Sequence, residues 1–460
     1  MRDLSELISG NNSSGKTIIT FNLSNGRAFS MSTDEDTTKP NYFKSIKLKE
    51  ALNLESNMPV GINTSNLLNL VIISTNKALV PNNENSAYYG YMNNTAILNI
   101  SFYDNDSQEA INLGKYYVKS WTSETSSSEG NKVEIQATNL MSLYAQQEVP
   151  DIIIDRGTRF NTWLNSVITN ISSKMSSDKK ATTDLDFSNF PQMQFCNIDY
   201  TKLDNALNQI SQCTLTNIYC DRANCFKTDY APSLSDDDAV YKLDILTNVV
   251  CKDEYLVDYD GVVITYSNGD INSPEQIGAV YNKAITTDGL YNEDAVQIRV
   301  PDNIYKINSV IIKSMDDMVL VSPTSITYNK NIIKISLAST GTTTFNCIVM
   351  GQKLDTSEQE YTKYNGNNNL RVTNKIIMGV NAIDTYASEL SKLIDIKEDT
   401  IRIEGMINPK IKISDTIYVD ANGAIGLAGY YKVVELNWTF TKYSKCSMKL
   451  VKVIENTVEE

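Results

Sequence analysis

The 460-residue sequence predicts a mainly β fold with an α/β insertion: a β-barrel domain towards each end, an α/β domain between them, and a further β-rich segment. Three observations carry this. Between Thr400 and Val453 apolar side chains alternate in short bursts, Ile401/Ile403, Ile411/Ile413, Ile417/Val419, Tyr431/Val433 and Leu436/Trp438/Phe440. A side-chain period of two marks half-buried antiparallel strands, and five bursts in so little chain predict a small barrel or rolled sheet. The second observation is that residues 42–138 repeat the pattern. The third is that strong helical spacing is concentrated in 139–232 and in one stretch, Asn374–Ile394.

Taken in order, residues 1–41 read as an N-terminal arm, with a short helical start at Leu4, Leu7 and Ile8 and a strand at Ile18–Leu23. Gly10–Thr17 matches the phosphate-loop pattern GxxxxGK[ST] letter for letter. That loop needs a strand before it and a helix after it, so that backbone N–H groups converge on phosphate. Here a polar segment precedes it and the alternating TIITFNL follows, so the match is read as coincidence and no cofactor is assigned.

In the first β-barrel, residues 42–138, candidate strands are Phe43–Leu48, Leu67–Ser74, Ala96–Tyr103, Tyr116–Trp121 and Lys132–Ala137, separated by Asn/Gly/Pro clusters. Asn82–Tyr91 is a loop holding three tyrosines, open to two readings: an interface, or rings folded back on the barrel. The α/β domain, 139–232, has helices at Asn139–Gln146, Thr158–Met175 and a third one carrying Leu203, Ala206, Leu207 and Ile210, with Asp199 or Thr201 as its cap. A hairpin follows, turning at Asp221–Asn224. The β-rich segment, 233–372, opens on the acidic loop Ser233–Asp238 and holds strands at Gly261–Tyr266, Ala295–Val300, Ser309–Lys313, Met318–Val321, Ile332–Leu337 and Thr344–Met350. A short helix is expected at Ser273–Thr286, from Ile277, Val280, Tyr281 and Ala284, and a loop at Asp355–Asn369. Residues 373–460 form the second barrel with its leading helix.

Composition removes several function classes. The chain has no histidine, and so lacks the commonest general base and zinc ligand and every Ser-His or Cys-His pair. Its seven cysteines (Cys196, Cys213, Cys220, Cys225, Cys251, Cys347, Cys446) form no CxxC pair and fit reduced thiols. Asp236–Asp238 lack the alternating ligands and glycine of a calcium loop. No metal, cofactor-binding or catalytic residue is singled out. A net charge of −14, from 41 basic and 55 acidic residues, disfavours specific nucleic-acid binding and docking on anionic lipid. The opening MRDLSELISG lacks the apolar core of a signal peptide, and no apolar run approaches the roughly 20 residues that span a bilayer.

Several passages, in order, resemble the baseplate or tail hub proteins of tailed bacteriophages and of phage-tail-like contractile particles. They are Leu113–Val118 (LGKYYV) with Glu134–Met141 (EIQATNLM), Thr158–Ile168, Leu203–Asp221 (LDNALNQISQCTLTNIYCD), Leu370–Val380, Asn408–Asp415 (NPKIKISD) and Tyr430–Glu435 (YYKVVE). Asn139 stands where that family usually has Asp, and Ser414 where it usually has Gly. The resemblance implies two tube-like barrels per chain and a homotrimeric, pseudo-sixfold ring. Such a ring joins the tail tube or distal tail protein to a spike or tip and passes DNA or tape-measure protein. It implies a virion protein assembled in the host cytoplasm, and no enzyme. An acidic lumen would suit DNA that must slide without sticking.

Two other readings compete. A receptor- or carbohydrate-binding tail protein (adhesin) is suggested by 26 tyrosines and by Trp121, Trp163 and Trp438, although spacing places Trp163 and Trp438 in cores. A glycosidase needs two carboxylates and no histidine, but nothing singles out a pair.

Overall fold

A computed structural model of the chain describes residues 8–452 except 11–13, 35–37, 53–59, 63–65, 127–129, 150–151, 155–159, 189–195, 199–200, 232–238, 245–249, 254–258, 289–291, 302–303, 315–322, 324, 330–331, 338–339, 365, 375–379, 397–399, 421–427 and 441–443. The acidic loop Ser233–Asp238, the strand expected at Met318–Val321, and Leu4, Leu7 and Asp199 lie outside the described residues.

The N-terminal strands are β1 (Ile8–Ser9), β2 (Gly15–Asn22), β3 (Ala28–Ser32), β4 (Asn41–Ala51), β5 (Leu67–Ser74), β6 (Ile97–Asp104), β7 (Glu109–Ser126) and β8 (Gly130–Thr138). Seven of them form an antiparallel arc in the order β4-β5-β8-β7-β6-β2-β3. Where an arm was expected, β2 and β3 stand inside this sheet. The alternation noticed at Ile18–Leu23 already begins at Gly15, so β2 has a fully buried face, Thr17, Ile19 and Phe21, and pairs with β6 along its whole length.

The α/β unit follows as α1 (Met141–Ala145), β9 (Glu148–Val149), β10 (Ile152–Ile154), α2 (Phe160–Ser173), β11 (Thr182–Asp184), β12 (Cys196–Ile198), β13 (Thr201–Lys202), α3 (Leu203–Thr214), β14 (Thr216–Cys220) and β15 (Cys225–Tyr230). The spacing that predicts the helices is the spacing of their core faces: Phe160, Trp163, Leu164, Ile168 and Ile171 on α2, and Leu203, Ala206, Leu207 and Ile210 on α3. Thr201 does not cap α3. It pairs with Val149 in β13, and Lys202 takes the cap position without a side-chain bond.

At the other end of α3, Leu215 is left-handed (φ 51°) and yet buried, and it packs into the core of the next unit. The two effects oppose each other. Replacing it by glycine would relieve about 1 kcal/mol of backbone strain but forfeit about 2–5 kcal/mol of core packing. Leu215→Gly is therefore expected to destabilise the protein by about 2 kcal/mol in urea unfolding, although glycine is the usual residue at this backbone position.

The next strands are β16 (Ala239–Asp244), β17 (Val250–Asp253), β18 (Gly261–Ile271), β19 (Glu275–Asp288), β20 (Asn292–Arg299), β21 (Ile304–Ser314), β22 (Ser325–Asn329), β23 (Ile332–Leu337), β24 (Thr340–Lys363) and β25 (Asn369–Asn374). Two expectations are corrected here. Ser273–Thr286 is strand rather than helix, because β19 breaks register twice against β24, between Gln276 and Gly278 and between Val280 and Lys283. A bulge inserts a residue, so the buried Ile277 and half-buried Val280 fall three apart, and with the exposed Tyr281 and Ala284 they imitate a helical period. Asn282, in the second bulge, is left-handed (φ 53°). Asp355–Asn369 is largely strand as well: β24 continues to Lys363, pairing with β18 from Ile271↔Leu354 to Val262↔Lys363. Its polar residues read as loop because this end of the strand is mostly exposed.

The first half of β24 lies between β19 and β21, and that sheet packs over β20-β23-β22. The result is a small sandwich with its own core, from Ile277 to Val349, carried at the far end of the β18/β24 hairpin.

The chain closes with α4 (Val380–Ile396), β26 (Thr400–Met406), β27 (Thr416–Asp420), β28 (Ala428–Phe440) and β29 (Ser444–Lys452). Four strands stand where five bursts were counted. Ile411 and Ile413 are buried but lie in a loop, and the bursts at Tyr431 and Leu436 are one bulged strand. These strands, with β17, β16 and β1, make a second seven-strand arc. The expected pair of barrels is thus one continuous 14-stranded sheet, and none of its arcs closes on itself among the described residues. The hand-over lies in β28. Its first residues pair with β27, and beyond the Val433/Glu435 bulge the same edge pairs with β4, from Glu435↔Ala51 to Phe440↔Ile46.

The arcs also share one hydrophobic core, with Phe102 of the first 6.2 Å from Phe440 of the second, ring centre to ring centre. Each fully buried side chain of this kind contributes about 1.5–3 kcal/mol. The arcs therefore form one body.

Candidate functional site

The segment that matches a phosphate loop is sheet. Gly15–Thr17 begin β2, and a Cβ on Gly15 would sit 2.3 Å from the Tyr103 carbonyl oxygen, so this glycine serves strand packing. The Lys16 ammonium pairs with Asp34 at 3.0 Å. Among the described residues no group of three or more Cys, Asp or Glu is placed to hold a metal ion, and no helix is long and apolar enough to cross a membrane. Five cysteines are described as free thiols. Burial pushes Cys220 and Cys446 well up and Cys347 up to about 11, so these thiols stay protonated and unreactive at neutral pH.

The tryptophans are all buried. Trp121 donates to the Leu79 carbonyl at 3.1 Å, Trp163 lies in the α/β core, and Trp438 stacks on Phe440 at 5.7 Å. The tyrosine loop divides. Tyr88 folds back onto Phe29 (4.6 Å), which stacks on Phe21, while Tyr89 and Tyr91 stay exposed. Arg27 holds the loop by donating to the Ala87 carbonyl at 2.8 Å.

The most distinctive constellation is a buried ionic junction. Arg222 stands in the Asp221–Asn224 turn of the β14/β15 hairpin, and Glu50 stands on β4. Their side chains form a two-pronged pair, Nε to Oε1 at 2.9 Å and Nη2 to Oε2 at 2.6 Å, with both residues almost fully buried. The guanidinium's remaining donors reach the carbonyls of Pro409 (2.6 Å) and Ile411 (3.1 Å), and the Trp438 indole N–H donates to Glu50 Oε2 at 3.1 Å. Burial works against the arginine's charge, but the Glu50 carboxylate holds its pKa above the usual arginine value. The Tyr116 hydroxyl, pushed up mainly by burial, feels both charges. A second buried pair, Lys432 with Asp229, ties β28 to β15.

Four of the passages on which the resemblance rests meet around this junction. LGKYYV supplies Tyr116, and the α3–β14 passage ends at Asp221, next to Arg222. NPKIKISD supplies the two carbonyls, and YYKVVE carries the Val433 N–H and carbonyl bonded to Asp415 and Ser414 (2.9 and 2.8 Å). Geometry accounts for two of their residues. Gly114 has φ 115°, at a bulge between β6 and β7, which a side chain would strain. Ser414 is left-handed at φ 71°, which explains why glycine is usual there. Asn139, standing for the usual Asp, accepts the Asn66 N–H at 3.3 Å. Sequence reasoning missed the Arg222–Glu50 pair because its members lie far apart in the chain. The only signal was a charged residue among the apolar alternation of β4.

No family of sequences and no curated protein matches this chain. Its fold does match solved structures. A tail protein from Neisseria meningitidis superposes with a TM-score of 0.50 over 95% of this chain and 96% of that one, at 7% identity. A 43 kDa tail protein of prophage MuSo2 from Shewanella oneidensis gives 0.50 over 95% and 98%, at 8% identity. Nearly the whole chain is matched in both, so the likeness includes both arcs, the α/β unit and the β-rich segment, and this chain has the phage tail-protein fold that its ordered motifs resemble.

Proposed function

We propose that this chain is a non-enzymatic structural hub of a phage tail baseplate or tail tip. The observation that carries the reading is that one chain supplies two seven-strand arcs, fused edge to edge over one core and pinned by a buried charge pair. Each arc acts as a tube-like module. Three copies offer six, a pseudo-sixfold collar matched to a tube on one side and to a threefold spike or tip on the other. DNA or tape-measure protein passes through its centre, and the chain's net charge of −14 disfavours adhesion of phosphate. The rigid junction suits this role, because a collar fails if the angle between its modules drifts.

Tyr89 and Tyr91 are the loop's candidates for contact with a neighbouring copy, since tyrosine is enriched in interfaces. Mass photometry of the purified protein is expected to show a species of three times the 51.4 kDa chain that persists on dilution, as large obligate interfaces do. Tyr89→Ser with Tyr91→Ser is expected to shift it towards monomer. A wild-type monomer at micromolar concentration would remove the ring reading.

A further inference from the structure

The third exposed tyrosine of interest lies elsewhere and has a different setting. Tyr364 follows β24, is 65% exposed, and is held left-handed at φ 55°, a conformation unfavourable for an aromatic residue. It stands over a cleft of about 420 Å³ between α4 and the base of the β18/β24 hairpin, lined also by Tyr259, Asp260, Ser388, Ser391 and Lys392. The Lys363 ammonium lies 5.8 Å from the Tyr364 ring centre. A strained, exposed ring beside a half-open cleft of small-ligand size calls for a ligand-based explanation.

We infer that this cleft binds a neutral sugar ring, with Tyr364 as the stacking platform. The charges in the cleft decide the class. Lys363 is paired with Asp384 at 3.0 Å and Lys392 with Glu389 at 2.9 Å, so neither ammonium is held in reserve for an anion. Asp260 Oδ2 already accepts the Asn367 and Asn368 N–H groups (3.1 and 3.3 Å), which weakens any claim for a cation. An apolar ligand would strip water from these polar groups without replacing it. A pyranose satisfies both halves of the cleft. Its C–H face lies on the tyrosine, and its hydroxyls donate to the Ser391 oxygen, whose own proton goes to the Ala387 carbonyl at 2.8 Å, and to the one lone pair that Ser388 Oγ keeps beside its bond from Lys363 and its own donation to the Asp384 carbonyl at 2.8 Å. The buried tryptophans cannot serve as such a platform. The inference stands independently of the ring reading, since the cleft lies within one chain.

The test is saturation-transfer NMR on the full-length protein with maltotriose and chitotriose at millimolar concentration, with sorbitol as the open-chain polyol control. Transfer to the ring protons of at least one oligosaccharide and none to sorbitol is expected. Tyr364→Phe should keep the signal, and Tyr364→Gly should lose it at least about tenfold while its melting temperature stays level or rises, because glycine relieves the left-handed backbone. The Gly variant thus separates ligand binding from folding. No transfer to either sugar, equal transfer to sorbitol, or a signal that survives in Tyr364→Gly would each overturn the inference. A signal lost instead in Tyr89→Ala would move the platform to the other loop and overturn it too.

Discussion

Arg222→Ala is expected to lower the unfolding free energy by about 3–5 kcal/mol, the usual cost of leaving a buried charge without its partner. Glu50 would keep only the Trp438 N–H, and the Pro409 and Ile411 carbonyls would lose their arginine donor in a site that excludes water. Glu50→Ala should cost a similar amount, because the guanidinium would remain buried. The double variant removes both charges and should cost less than the sum, with a coupling energy of about 2 kcal/mol in a urea double-mutant cycle. Arg222→Lys is informative in its own right: an ammonium cannot reproduce the planar fork that meets both Glu50 oxygens, so retention of charge alone is not expected to restore stability. Additive single effects would mean that the residues act separately, and the junction would lose its place as the fastening of the fold. Because the pair spans the α/β hairpin and the main sheet, the same variants should also loosen the proposed trimer.

Much of this architecture was legible in the sequence, for identifiable reasons. Leu67–Ser74 and Ile332–Leu337 are legible to the residue because each is a short, β-branched-rich apolar run between turn signals. The faces of α2 and α3 followed from spacing alone. What failed was any element whose period is altered by its partner. The bulges of β19 turned a strand's spacing into a helix's, and the bulge in β28 split one strand into two apparent ones. The polar end of β24 hid a strand because its side chains are mostly exposed, so ladder hydrogen bonds rather than burial hold it. Joining of the arcs through β28 and β4 was invisible for another reason: edge pairing between remote segments leaves no local mark. The Arg222–Glu50 pair was lost in the same way. The tyrosine loop was ambiguous in sequence, and it remains divided in structure, one ring in and two out.

The continuation of β24 past the sandwich leads to the other large expected effect. Replacing residues 272–353 by a short turn should leave the rest of the chain folded and remove one complete unfolding transition. The eleven buried residues of the sandwich core all lie between Ile277 and Val349, and none belongs to the neighbouring core that α4 forms with β18. The polypeptide enters and leaves through adjacent positions, Ile271 opposite Leu354, so a two-residue turn can close the hairpin without stretching it. The sandwich carries as many basic as acidic residues, so its removal leaves the acidic charge of the body unchanged. Calorimetry of the full chain should therefore show two transitions, and the shortened chain one, with a smaller urea m-value in proportion to the surface no longer exposed. If the shortened chain instead melted far earlier or aggregated, the sandwich would be part of the body's cooperative unit, and the hairpin would transmit stability as well as position. The first outcome is favoured because only two strands cross the boundary, and two strands couple cores weakly compared with the shared interior that binds the arcs into one.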